Sequence, residues 1–100
     1  MQNLKSNQIK YLSRKAQILK PVVYLGKEGI TGALIKSLDQ ALDDHELIKV
    51  KFVNYKDEKK ELSPRLAEST DSILVRIIGN IALFYRQSSK VEKQKLELPE

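Results

Sequence analysis

Apolar residues recur along this chain with two different periods, and the switching between them predicts a mixed order of helices and strands. Ile9, Leu12, Ala16 and Leu19 fall at spacings of three and four, which is one face of a helix over 6–20. Ser6 is placed to cap its start, and Pro21 to end it, because the residue before a proline avoids helical backbone angles. Val22–Leu25 is a short β-branched, apolar run of strand character. Leu34, Ile35, Leu38, Ala41 and Leu42 stripe a second helix, from about Gly32 to Asp44, with Thr31 as its cap. Over 47–53 the period drops to two: Ile48, Val50 and Phe52 alternate with Lys49 and Lys51, the mark of a half-buried strand. Residues 57–70 are helical in composition, with Leu62, Leu66 and Ala67 inward. Pro64 predicts a kink or split near Ser63, since proline removes an amide donor and crowds the preceding turn. Two more strands, 73–78 and 81–86, flank Gly79-Asn80, a two-residue loop whose leading glycine suits a type II′ hairpin.

The predicted order is α-β-α-β-α-β-β, an α/β fold with three helices and a four-stranded sheet. The final hairpin is antiparallel, and the strands separated by helices are expected to pair in parallel, so the sheet is mixed. One hundred residues suffice for a single compact domain, assigned to 1–86. The stretch 87–100 is polar and without a sustained period. It reads as a mobile tail from which Leu96 and Leu98 could dock weakly.

Composition removes several chemistries. With no cysteine there is no disulfide, thiolate ligand or cysteine nucleophile, and one histidine cannot form a two-histidine metal site. No apolar run reaches the ~20 residues that cross a bilayer, and the basic N-terminal stretch lacks the apolar core of a secretory signal, so a cytoplasmic protein is expected. Net charge is +5, and its distribution matters more than its size. Lys5, Lys10, Arg14, Lys15 and Lys20 stand in the first twenty residues with no acid, while the rest of the chain carries thirteen bases against thirteen acids. A one-ended basic field suits a polyanionic partner, most simply nucleic acid; a basic but merely solvated helix is the plainer alternative.

The sharpest motif is Gly26-Lys27-Glu28-Gly29, between a strand and a helix start. Two glycines let a sugar-phosphate backbone approach without side-chain obstruction, the following helix offers free amides and its positive dipole end, and Lys27 adds a charge at the tip. KH domains clamp nucleic-acid backbone with a GXXG loop of this kind, although any strand-to-helix turn can contain two glycines. Lys10, Arg14 and Lys15 would extend the electropositive area begun by Lys27. Tyr11 lies beside that basic face, where it could stack on a base or sit half-buried with its hydroxyl in water. Asp43, Asp44 and Glu46 suggest a Mg²⁺-dependent nuclease only if they converge, which neighbouring helix positions do not do unaided. His45 suits a helix C-terminus better than catalysis, and Ser69, Thr70 and Ser72 lack an evident general base.

Four segments together resemble the CRM domain, named for chloroplast RNA splicing and ribosome maturation, and most closely its bacterial single-domain YhbY type. They are Leu12…Ala16…Leu19-Lys20-Pro21-Val22-Val23, Gly26-Lys27-Glu28-Gly29-Ile30-Thr31, His45-Glu46-Leu47-Ile48-Lys49-Val50 and Ile78-Gly79…Leu83-Phe84-Tyr85-Arg86. The likeness runs from about Leu4 to Arg86. It implies an RNA-binding domain similar in fold to the C-terminal domain of translation initiation factor three, with a role on ribosomal RNA in precursors of the large ribosomal subunit. It implies Gly26, Lys27 and Gly29 as the loop site and Lys10, Arg14 and Lys15 as the basic helix. Ile9 and Ser13 depart from the family pattern, which often has Arg or Lys there, and Pro64 stands where relatives usually continue a helix.

The leading expectation is a non-enzymatic RNA-binding protein, monomeric, with no cofactor, metal, catalytic residue, small-molecule substrate or membrane partner. A protein-interaction adaptor with a basic face and a metal-dependent nuclease stand as alternatives.

Overall fold

The period-two segment becomes the spine of the molecule. In the computed structural model, which describes residues 4–100, the strands β1 (Val23–Leu25), β2 (Leu47–Phe52), β3 (Ile73–Ile78) and β4 (Ile81–Tyr85) form one sheet of order β1-β2-β4-β3. β1 runs parallel to β2, and the other two pairings are antiparallel. The three helices are α1 (Ser6–Ala16), α2 (Gly32–His45) and α3 (Lys59–Thr70), so the element order and mixed sheet expected from sequence are those of the fold.

Alternation sends each strand's residues to two layers. Val23, Leu25, Ile48, Val50, Phe52, Ala82 and Phe84 meet Leu38 and Leu42 of α2 and Leu66 and Ala67 of α3. Phe52 and Phe84 are fully buried there, and truncating either to alanine costs roughly 3–5 kcal/mol. On the opposite face Leu47, Val75, Leu83 and Tyr85 meet Leu12 and Ala16 of α1, with Leu96 and Leu98 of the tail packed alongside. A bulge between Leu74 and Arg76 lets Val75 sit buried under α1 while the neighbouring Arg76 stays exposed.

Several boundaries differ from the sequence expectation. Lys5, not Ser6, is the N-cap of α1, and the Gln8 side chain accepts the Lys5 amide at 2.9 Å. The helix stops at Ala16 rather than running to Lys20. Beyond Ala16 the Gln17 and Leu19 amides bond the Arg14 and Ala16 carbonyls in tighter turns, and the Lys49 ammonium then holds the Leu19 carbonyl at 2.8 Å while the Val22 amide bonds the Lys49 carbonyl. α3 is not split near Ser63. It runs unbroken through Pro64 after a 3-10 turn at Lys56–Glu58. Proline deprives only the Lys60 carbonyl of its helical donor, and Lys60 and Pro64 are both exposed, where water can replace that bond. Thr31 caps α2 as expected, its hydroxyl oxygen accepting the Leu34 amide at 3.1 Å. Gly79 takes the positive φ of +58° that a leading hairpin glycine supplies.

The tail lies along the domain and is fixed by the acids at the end of α2. Glu46, fully buried and at φ +64°, accepts the amides of Ser88 and Lys95 at 2.8 Å and of Leu96 at 3.2 Å. Asp43 accepts from Ser89 and pairs with Arg86, and Asp44 pairs with Lys90 and Lys93. The Ser89 backbone amide, first among its partners, holds the Asp43 carboxyl below the usual range, and the Lys93 ammonium does the same for Asp44.

Candidate nucleic-acid interface

Gly26–Gly29 forms a tight turn closed by the Gly29 amide on the Gly26 carbonyl at 3.0 Å. Its support comes from the segment after β2. The Tyr55 hydroxyl donates to the Lys27 carbonyl at 2.8 Å, and the Tyr55 ring lies beneath Gly29. The Val53 and Asn54 amides both reach the Leu25 carbonyl. Tyr55 itself takes a left-handed φ of +56°, a cost for a non-glycine residue that places its ring under the loop. Lys27 and Glu28 project into solvent at the tip.

The two loop glycines have different reasons. Gly29 has φ +67°, which disfavours any side chain. Gly26 lies outside that region, and a Cβ there would meet only Asn54 Oδ1 at 3.9 Å. Gly32, the first residue of α2, would have nothing within 4 Å of a Cβ. Neither backbone angle nor packing demands glycine at 26 or 32. Their missing side chains leave bare backbone around the positive end of α2.

The basic residues of α1 sit elsewhere on the same side of the molecule. Lys10, Arg14 and Lys15 are exposed, and Lys15 Nζ stands 5.6 Å from the Tyr11 ring centroid. Tyr11 is half-buried against the α1 cluster, which leaves it poorly placed to stack on a base. α1 covers the sheet rows of Leu47, Tyr85 and Leu83 but stops short of the row next to the loop. That row, Tyr24, Lys51, Ile81 and Ile78 across all four strands, faces the same side. Tyr24 is 55% and Ile78 52% exposed, and Lys51 and Arg76 are exposed beside them. The helix cations and the glycine loop are therefore not in mutual contact; they border a shared strip of open sheet.

The sequence reading missed Tyr24, Lys51, Arg76 and Tyr55. Lys51 carried a signal, as the outward partner of alternating core residues. Tyr24 and Arg76 needed the strand register, and Tyr55 needed the fold. Ile9, one of the departures from the resemblance, is on the inner side of α1, packed on its cluster, and the Ser13 hydroxyl is shielded without a partner.

The cations of this side are free of ion pairs among the described residues. The four salt bridges among the described residues use Arg86, Lys90 and Lys93 with Asp39, Asp43 and Asp44. None uses Lys10, Arg14, Lys15, Lys27, Lys51 or Arg76, so these charges are available to an external anion. Asp43, Asp44 and Glu46 do not converge into a cation site: all three are engaged with the tail, and no cluster able to hold a metal occurs among the described residues. No helix among the described residues is long and apolar enough to cross a membrane.

Comparison with known proteins agrees with this architecture. The chain is 37% identical over 100 residues to a Haemophilus influenzae protein named "RNA-binding protein", covering 99% of this chain and 98% of that one. It is 35% identical over 97 residues to "Probable RNA-binding protein YqeI" of Bacillus subtilis, covering 96% and 99%. The solution structure of protein SAV1595 from Staphylococcus aureus superposes with a TM-score of 0.79 at 40% identity, over 97% of this chain and 100% of that one. The model of the CRS1 / YhbY (CRM) domain matches residues 4–86, spanning the helix, the glycine loop and the whole sheet, and the chain belongs to that family.

Proposed function

We propose that this protein binds RNA through the glycine loop, the open sheet row and the outer face of α1, and that it acts by binding rather than by catalysis. The observation that carries this reading is the pair of glycines at 26 and 32 that the fold itself does not require, set at a helix N-terminus beside unpaired cations. Backbone amides and the α2 dipole receive a phosphate, and Lys27, Lys10, Arg14 and Lys15 neutralise its neighbours along the strand. Lys51 and Arg76 continue the positive strip, and the exposed ring of Tyr24 offers a face for one unstacked base. The names of the relatives support RNA as the partner.

The RNA we propose is ribosomal, bound in the cytoplasm while the large subunit is assembled. The support is the YhbY type of the family together with a small, unpaired basic surface that can hold an RNA fold and be displaced as proteins join. In-cell cross-linking with mapping of the contact sites tests both levels. Cross-links in large-subunit ribosomal RNA, with the protein sedimenting alongside precursor particles at low salt, are the expected result. Cross-links confined to other RNAs remove the ribosomal role and leave RNA binding. An absence of RNA cross-links removes both.

A further inference from the structure

A groove of about 480 Å³ opens where the chain leaving α1 passes the C-terminal tail, away from the glycine loop. Its floor is aliphatic, with Leu19 and Leu47 on one side and Leu96 of the tail on the other. At its mouth Ile18 is 89% and Val22 50% exposed, large apolar surface left in water. The rim carries Lys20, Lys95 and His45, with Lys15 shared between it and the outer face of α1, and no acid lines it. None of these rim groups takes part in an ion pair among the described residues. The tail wall is not a loose end, since the amides of Lys95 and Leu96 are both held by the buried Glu46 carboxylate.

We propose that this groove docks an acidic segment of another protein, one that places bulky aliphatic or aromatic side chains between carboxylates. The apolar floor and exposed Ile18 need an apolar occupant, and the unpaired cationic rim selects negative flanks. A nucleic acid fits less well. The one ring in the lining is His45 at the rim, and the aliphatic floor neither stacks a base nor hydrogen-bonds its edge. The mode is that of an amphipathic peptide in a groove, its anchors buried and its charges at the rim.

The test is an NMR titration of the full chain with three probes: a ten-residue peptide alternating Asp or Glu with Leu or Phe, a deca-glutamate peptide and a ten-nucleotide oligouridine. The alternating peptide is expected to shift the amides of Ile18, Leu19, Val22, Leu47 and Leu96 saturably, and deca-glutamate to give only weak shifts at the lysines. Ile18→Ser should weaken the alternating peptide about tenfold, the loss expected for one partly buried aliphatic anchor. It should leave thermal stability and oligouridine affinity as in wild type, because Ile18 is almost wholly in solvent. The proposal is overturned if the alternating peptide gives no saturable shifts at these residues, or if deca-glutamate binds there equally well. Unchanged peptide affinity in Ile18→Ser overturns it too, as does oligouridine occupying the groove in preference to the peptide. Oligouridine binding only at the glycine loop and open sheet leaves the proposal standing.

Discussion

Gly26 and Gly29 belong to one turn, yet substitutions at the two should separate stability from RNA affinity. Gly29 sits at φ +67°, so Gly29→Ala forces an L-residue into the left-handed region at a cost of roughly 1–2 kcal/mol. The new Cβ would lie 3.5 Å from Tyr55 Cε2 and 3.7 Å from Cζ, ordinary contacts that add no clash. For a domain of this size each kcal/mol moves Tm by about 4–8 °C, so a fall of roughly 4–16 °C is expected. Gly26 lies outside the left-handed region and its Cβ would meet only Asn54 Oδ1 at 3.9 Å. Gly26→Ala should therefore be neutral, or stabilising by up to about 1 kcal/mol through a less flexible unfolded chain. Gly26→Asp keeps that tolerance but sets a side chain and a negative charge where the RNA backbone approaches. Its RNA affinity should drop about tenfold, equivalent to ~1.4 kcal/mol. Thermal unfolding and fluorescence anisotropy with labelled RNA at fixed salt measure the two quantities on the same samples. If Gly26→Asp binds RNA as wild type does while remaining folded, the loop is not the phosphate site. If Gly29→Ala melts with wild type, the left-handed turn is wrong.

The Lys10/Arg14/Lys15→Ala triple should flatten the log–log salt dependence of RNA affinity by about 2–3, at ~0.7–0.9 for each phosphate no longer neutralised, with little change in Tm; an unchanged slope would make α1 a solvated surface only. Glu46→Gln keeps the shape of a fully buried side chain but sets an amide donor against one of the three backbone amides it receives. The loss should be about 2–4 kcal/mol, with faster tryptic cleavage at Lys90, Lys93 and Lys95; tail protection equal to wild type would refute the clamp. Asp43 and Asp44 have folded values held below 3.8, so what they contribute is fully present above that pH and is lost as pH falls through the lower folded value. The Ser89 amide resonance should thus be flat from pH 7 to about 5 and move only below about 4; a midpoint at or above 3.8 would contradict the pairing.

Features that rest on local chemistry can be read from the residues alone. Strict alternation in Ile48–Phe52 marks a two-faced strand, Thr31 can cap only a helix that follows it, and Gly79 supplies the one positive φ its turn needs. The glycine loop was legible because conformational freedom and charge are properties of the residues themselves. Features that depend on partners distant in sequence emerge only once the chain is folded. α1 gives way after Ala16 to tighter turns, and Lys49, thirty residues on from Leu19, holds the Leu19 carbonyl there through a hydrogen bond that no local propensity encodes. Pro64 stays within α3 because its cost is one exposed carbonyl, whereas Leu66 and Ala67 are buried against the sheet. The polar tail lacks any period because Glu46, Asp43 and Asp44 hold it through backbone amides and ion pairs, with only Leu96 and Leu98 packed on the core, rather than a repeating apolar face. The open row of Tyr24, Lys51 and Ile78 is the clearest case. Each residue reads alone as an ordinary strand position, and only the register across four strands, with a helix too short to cover them, turns them into one exposed strip.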